Sequence, residues 1–308
     1  MQIKGRVLVV AGSDSSGCTG IQADIKTILA LGGYAMSAVT AVTARDTLGI
    51  VDIHPIPPAF VQRQMRLALQ DIGADVIHLG MLHNADLINA VADVIEELAP
   101  DAPVVLDPVA VTKTGRSLLD KEGMRHLKIR LLPRTTIITP NLREGELLAG
   151  MDIHTDEERH HAAQMMLTLG AKAVLLKGGH DDQDPVVDLL ATEEGGITEY
   201  SAPRVETRHM AGIGSTLSAA IACGMAQGLE VHRAVERGRS YLQACIKARR
   251  GSGMARGRSI MASALPHSCC RKMRIAAKPR SLTFAKRHIR NFDTVRGDLS
   301  RPACGHVK

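Results

Sequence analysis

Four short stretches of this chain gather residue types suited to ligand-site chemistry, three of them to phosphate or its metal ion. Residues 11–20, AGSDSSGCTG, combine three glycines with small hydroxyl side chains, so the backbone there can approach a ligand closely. The stretch contains neither GxxxxGK[ST] nor a full GxGxxG, and a flexible strand-to-helix turn explains it locally as well as a binding loop does. Asp24, just beyond it, reads locally as a helix-dipole carboxylate. Residues 139–144, TPNLRE, put Asn141 at an N-cap and Glu144 three residues later, the spacing of a capping box. The same amide and carboxylate can hold hydrated Mg²⁺, which takes one or two carboxylates beside phosphate oxygens and water. Residues 177–180, KGGH, set Lys177 before two glycines, which suits a phosphate; a turn with a solvent-facing lysine explains them too, and His180 reads as a loop histidine without a catalytic part. Residues 211–220, AGIGSTLSAA, run from glycines into an alanine-rich helix. Free N–H groups and the helix dipole make an anion site there, with Ser215 at its mouth. The competing local reading makes Ser215 an N-cap and the glycines points of close packing.

The elements that must carry these loops follow from the apolar pattern. Strands are expected at 6–11, 38–43, 76–79, 104–106, 136–138 and 173–176, with a hairpin from 186–191 and 197–200. Helices are expected at 21–31, 59–71 (after Pro57-Pro58), 87–98, 157–169 (stopped by Gly170), 217–227 and 234–248. Strand and helix alternate, which means βαβ units and a mostly parallel sheet. Ligands of such sheets bind beyond the carboxyl ends of the strands, where all four loops fall.

Composition narrows the function classes. The chain has 308 residues, 45% hydrophobic and 23% charged, which is ordinary for a globular protein. It has no Trp, three Tyr and three Phe; the core must be aliphatic, and single-stranded nucleic acid has few rings to stack on. The net charge of +6 is unevenly spread. Residues 249–308 hold 15 basic and two acidic side chains, leaving 23 basic and 30 acidic ones in 1–248. The expected organisation is one domain over 1–250 and a basic C-terminal tail, poorly ordered, over 251–308. Three readings of the tail stand: a solvated segment, an arm for acidic partners, or an out-of-frame end of a GC-rich gene. Six cysteines lack any CxxC spacing, so neither a zinc ribbon nor a redox pair is indicated. No apolar run reaches membrane-spanning length, and the cytoplasm is the expected location.

Taken in order, AGSDSSGCTGIQADIKT, SAVTAVTA, GMLHNADLINAVAD, PVVLDPV, TPNLREGELL, AVLLKGGH and GIGSTLSAAIACGMAQGL closely resemble the hydroxymethylpyrimidine/phosphomethylpyrimidine kinases of thiamine biosynthesis, a branch of the ribokinase-like fold. The resemblance spans about residues 5–248. It implies a three-layer αβα sandwich with a central, mostly parallel sheet, ATP as phosphate donor, Mg²⁺, and a homodimer. It implies phosphorylation of 4-amino-5-hydroxymethyl-2-methylpyrimidine and then of its monophosphate. It places Asn141 and Glu144 in the Mg²⁺–phosphate motif, Lys177 in the nucleotide-phosphate loop, and Gly212 and Gly214 in the anion hole. It puts Gly12, Asp24, Met81 and Val109 in or beside the pyrimidine pocket.

The sequence departs from that family at three places. The anion-hole motif usually reads GTGC, its cysteine the presumed catalytic base; here it reads Gly212-Ile213-Gly214-Ser215. A serine hydroxyl is a far poorer base than a thiolate at a helix N-terminus, so slow turnover is expected. The pocket motif usually reads AVTAQNT; here residues 41–47 read AVTARDT, with Arg45 for the glutamine. Arginine only donates and cannot pair with both the acceptor and the donor of an aminopyrimidine edge. The family's Gly/His-rich ending is replaced by residues 251–258, GSGMARGR. Two alternatives to a thiamine-pyrimidine kinase follow: a kinase for a pyridoxal-like ring, and a decayed protein that binds ligand with little turnover.

Overall fold

The computed structural model describes residues 4–248 except 47–48, 113–114, 180–183 and 206–210. His180 and the basic segment 251–308, with its altered ending, lie outside the described residues. Nine strands form one sheet: β1 (Arg6–Asp14), β2 (Tyr34–Arg45), β3 (Ile50–Pro55), β4 (Val76–Leu79), β5 (Val104–Leu106), β6 (Ile137–Ile138), β7 (Ala173–Leu176), β8 (Val186–Thr192) and β9 (Ile197–Ala202). Their order is β3-β2-β1-β4-β5-β6-β7-β8-β9. The six from β2 to β7 run parallel, while β3 at one edge and β8 and β9 at the other are antiparallel.

The helices are α1 (Gly20–Ala30), α2 (Pro58–Asp71), α3 (Ala85–Leu98), α4 (Lys121–His126), α5 (Leu142–Ala149), α6 (Asp156–Thr168), α7 (Ile213–Ala226) and α8 (Val231–Lys247). They cover both faces of the sheet. One core layer packs Leu8, Ile77, Leu106 and Leu176 against α2, α3 and α6. The other packs Val7, Val76, Val105 and Leu175 against α1, α7 and α8. Alternate residues of each central strand thus enter opposite layers, and β4 and β7 are buried along their whole length. The expected αβα sandwich is what forms.

Local chemistry explains most boundaries. Pro58 opens α2 because its fixed φ suits a first helical turn. Asn84 Oδ1 accepts from Leu87 N at 2.9 Å and starts α3 two residues earlier than its apolar pattern indicates. Thr155 and Glu158 form a capping box at α6, and Asn141 and Glu144 form the expected one at α5. β3 is absent from the sequence reading because it is an edge strand: most of its residues face solvent and no apolar run marks it. The segment 121–134 is also absent from that reading; there α4 continues through a π turn, Leu127–Leu131, and a short 3₁₀ turn, Leu132–Arg134. Its buried Leu127 and Leu131, four residues apart, were the available signal. α7 starts at Ile213 rather than 217, since Gly212 and Gly214 belong to the helix start rather than to a loop before it.

Candidate active site

A cavity of about 720 Å³ opens at the carboxyl ends of the parallel strands. Gly12, Asp24, Arg45, Met81, Val109, Asn141, Glu144, Lys177, Gly212, Gly214 and Ser215 all line it. Residues from the first strand and from the last helices therefore meet, each delivered by a strand end or by the start of a helix.

The phosphate-handling end is built around α7. Its N-cap is Gly212, at φ +79°, the left-handed region that favours glycine. A side chain there would also strike the carbonyl oxygen of Cys18, 2.1 Å from the position of a Cβ. Loop 11–20 and α7 can approach only through this glycine. Ser215 is therefore the third helical residue and not the N-cap that one local reading made it. The N–H groups of the first turn have no intrahelical acceptors and carry the positive end of the helix dipole. Beside them Lys177 Nζ makes a 3.0 Å ion pair with Asp107 Oδ1. A Cβ on Gly214 would lie 3.3 Å from Lys177 Nζ and 3.4 Å from Asp107 Oδ2, so this glycine opens the way from α7 to the ion pair. Burial pulls the lysine pKa down, but Asp107, Glu144 and Asp188 outweigh it, and Lys177 stays an ammonium.

Asn141 and Lys177 sit side by side in a bridge between the ends of β6 and β7, and Lys177 N donates to the Pro140 carbonyl at 2.8 Å. Asn141 Oδ1 accepts from Glu144 N, and Glu144 Oε2 accepts from Asn141 N, both at 3.0 Å. Glu144 Oε1 also accepts from Ala110 N at 3.3 Å. Glu144 is thus a buried structural carboxylate first. Burial raises its pKa to about 7, with Lys177 opposing and Asp107 reinforcing the rise. Among the described residues no group of three or more His, Cys, Asp or Glu is placed to hold a metal ion. Mg²⁺ does not need one when phosphate oxygens and water complete its shell. Glu144, its pKa raised to about 7 by burial and by Asp107, would be driven to its ionised form by a nearby divalent cation, so the pair suits one beside Lys177. Glu144 would contribute to holding it, since each of its oxygens keeps a free lone pair.

The opposite end of the cavity is a pocket for a small ring. Ala41, Met81 and Leu118 form an apolar cluster, with Val109, Ile50 and Ile53 packed against it. Gly12 faces Met81: a Cβ there would meet Met81 Cε at 2.5 Å. Asp14, unremarked in the sequence, organises the neighbouring loop. Its carboxylate accepts from Ser16 N and Oγ, Cys18 N, and Thr19 N and Oγ1, at 2.7–3.2 Å. Arg45 is fastened to the same loop: Nη1 donates to Thr19 Oγ1 at 2.9 Å and lies 3.9 Å from Asp14 Oδ2. Asp24 is not a solvated helix-dipole carboxylate. It is the fifth residue of α1, 1% exposed, and faces His78.

Sequence reasoning also passed over Asp107 and the pair Asp188–Arg239. Asp188 accepts from Gly178 N at 2.8 Å and from Arg239 Nε at 2.7 Å, which fixes the glycine turn after Lys177. Asp107 had one signal, as the lone acid ending an apolar strand in PVVLDPV. Arg239 had none, being one arginine of several on α8.

A mostly parallel sheet whose strand ends bring a buried lysine and a glycine-opened helix N-terminus over one cavity defines a phosphate-transferring enzyme of the small-molecule kinase type. The family model for phosphomethylpyrimidine kinase matches residues 14–259. The hydroxymethylpyrimidine/phosphomethylpyrimidine kinase of Bacillus subtilis (strain 168) is 38% identical over 252 residues, 82% of this chain and 93% of that protein. The thiamine biosynthesis bifunctional protein ThiED of Geobacter sulfurreducens is 41% identical over 254 residues, and this chain spans 51% of its length. Among solved structures, the phosphomethylpyrimidine kinase of Clostridium difficile 630 superposes with a TM-score of 0.71 at 34% identity, over 80% of this chain and 100% of that one. The pyridoxal kinase of Staphylococcus aureus with AMP-PCP and pyridoxal superposes with a TM-score of 0.75 at 30% identity, over 85% of this chain and 95% of that one. The chain belongs to the phosphomethylpyrimidine kinase family.

Proposed function

We propose that this protein transfers the terminal phosphate of ATP to the hydroxymethyl group of 4-amino-5-hydroxymethyl-2-methylpyrimidine, and then phosphorylates the monophosphate, for thiamine biosynthesis. The observation that carries the reading is the meeting at Gly214 of Lys177, Asp107 and the α7 N-terminus. Lys177 and the N–H groups of Gly214 and Ser215 hold the transferring phosphate, where negative charge on its oxygens must be stabilised. Mg²⁺, when bound, neutralises charge on the phosphates of ATP, and Asn141 and Glu144 stand on its side of the cavity. The ring sits against Met81 and Val109, with Gly12 allowing the close approach. Ser215 orients the acceptor hydroxyl, and Asp107 offers a carboxylate for its proton. In a loose phosphoryl-transfer transition state, positioning and electrostatics do most of the catalysis, so a serine in place of a thiol slows the reaction without abolishing it.

ADP release with Mg²⁺-ATP, comparing the pyrimidine, its monophosphate and pyridoxal, tests this. Turnover with the first two supports the reading; no ring raising ADP release above background overturns it and leaves a ligand-binding role. A second reading has a specific observation behind it. Arg45 is fastened to Thr19 beside Asp14 at the wall of the cavity, and a guanidinium suits an oxygen-bearing ring better than an aminopyrimidine edge. A kcat/KM higher for pyridoxal than for the pyrimidine would favour it. A homodimer and a cytoplasmic location belong to the same proposal, and light scattering tests the first. No helix among the described residues is long and apolar enough to cross a membrane.

A further inference from the structure

The core layer between the sheet and helices α1, α7 and α8 is aliphatic, yet two ionisable groups lie side by side in it. His78 on β4 and Asp24 on α1 are each 1% exposed. His78 Nε2 lies 3.6 Å from Asp24 Oδ1 and 3.4 Å from Ser218 Oγ on α7. On the far side of the ring, Nδ1 lies 3.3 Å from the Val105 carbonyl oxygen. A carbonyl only accepts, so Nδ1 carries a proton. At 3.6 Å Nε2 is too far from Asp24 Oδ1 for a hydrogen bond, and that oxygen has no hydrogen-bond partner among the described residues; the two groups meet only as a buried ion-pair contact.

Ser218 extends the contact to the phosphate site. Its Oγ stands 3.1 Å from the Gly214 carbonyl and 3.2 Å from the Ser215 carbonyl. A mid-helix serine that bonds back to such carbonyls can bend a helix, and here the same Oγ also contacts His78 on the sheet side. The two carbonyls belong to the residues whose N–H groups face the phosphate. A chain of polar contacts therefore runs from the Val105 carbonyl through His78, whose Nε2 can donate to Ser218 Oγ, and on from Ser218 to the first turn of α7. The path adds little to stability, since a buried ion pair is often matched or bettered by apolar packing. What it supplies is a fixed position.

We infer that His78, oriented by the Val105 carbonyl and lying beside Asp24, is a positioning residue for phosphoryl transfer, fixing through Ser218 the first turn of α7 that receives the phosphate. Its kinetic consequence rests on the kinase reading above; its structural consequence does not.

The experiment compares full-length wild type with His78→Leu, His78→Gln and Ser218→Ala. Glutamine can place a polar atom near Nε2 that donates or accepts; leucine cannot. His78→Leu is expected to lower kcat about tenfold with KM for ATP and for the pyrimidine nearly unchanged, the pattern of lost transition-state positioning. His78→Gln is expected to restore most of kcat. Ser218→Ala is expected to lower kcat as His78→Leu does, and the double variant to be no worse than either alone. Independently of turnover, hydrogen exchange at residues 213–218 is expected to quicken in His78→Leu and Ser218→Ala and to stay near wild type in His78→Gln. If the wild type turns over no ring, the kinase reading falls, and hydrogen exchange alone decides this inference. Unchanged exchange at 213–218 in folded His78→Leu overturns it. So does a change confined to KM for the ring, which would make His78 a pocket wall, or His78→Gln behaving like His78→Leu. If His78→Leu does not fold, Ser218→Ala carries both readouts, and wild-type values in it overturn the inference.

Discussion

At Gly214 a single methyl group would crowd the Lys177–Asp107 ion pair beside the start of α7. It would press on Lys177 Nζ and Asp107 Oδ2 at 3.3 and 3.4 Å. Gly214→Ala is therefore expected to lower kcat by about 10- to 100-fold while thermal stability holds; ADP release and a melting curve check it together. Lys177→Ala removes the charge itself and is expected to cost about 10²- to 10³-fold in kcat. Ser215→Cys should raise turnover, because a thiol near a helix N-terminus ionises far more readily than a hydroxyl and adds a second proton acceptor beside Asp107; an unchanged rate would mean that position 215 only orients the hydroxyl. Asp14 gives a pH test. Burial pushes its pKa up, but hydrogen bonds from Ser16 and Thr19 and the charge of Arg45 outweigh it, and the net shift is downward. A carboxylate with a depressed folded-state pKa stabilises above its unfolded pKa, and that contribution is lost as pH falls. Asp14→Asn is expected to cost about 1–3 kcal/mol at pH 7, with the gap closing below about pH 4. Urea unfolding followed from pH 7 down to about pH 2 measures it, since the contribution is lost only as pH falls through the lowered folded-state pKa; a gap that does not narrow over that range would assign the effect to loop shape rather than charge.

Among the elements, α5 shows how one motif serves fold and site together. The capping box that starts it is also the Asn141–Glu144 pair facing the cavity. Asn141→Ala is expected to lower stability by about 1 kcal/mol through the lost cap, read in urea, and to weaken Mg²⁺ dependence of turnover as a separate effect. Such local signals are legible in the amino-acid sequence: Pro58, the Thr155–Glu158 box and the Gly170 stop each act within one turn of chain. Elements defined by their neighbours are not. β3 exists because β2 offers it an antiparallel edge, and its own residues show no strand pattern. The early start of α7 has the same character, since Gly212 is required by the Cys18 carbonyl, which lies far away along the chain.

For the molecule as a whole, a ligand that binds only the folded chain must raise its melting temperature. Mg²⁺-ATP at about 100 times its Kd adds about 2.7 kcal/mol, a shift of about 5–10 °C for a domain near this size. Differential scanning fluorimetry should show that shift with Mg²⁺-ATP, less of it with ATP and EDTA, and little in Lys177→Ala. The sequence by itself determined the alternation of strands and helices, the four glycine-bearing loops and the family they resemble, because these rest on periodicity and on residues close together in the chain. It identified eleven residues that do line one cavity. Only the tertiary structure decided that Lys177 pairs with Asp107 across 70 residues, that Asp14 organises the first loop, and that Asp24 turns inward beside His78. Each of these depends on which strand ends become neighbours in the sheet. That order, with β1 between β2 and β4 and the edges reversed, is set by burial of both faces of the sheet and leaves no mark in any single stretch of sequence.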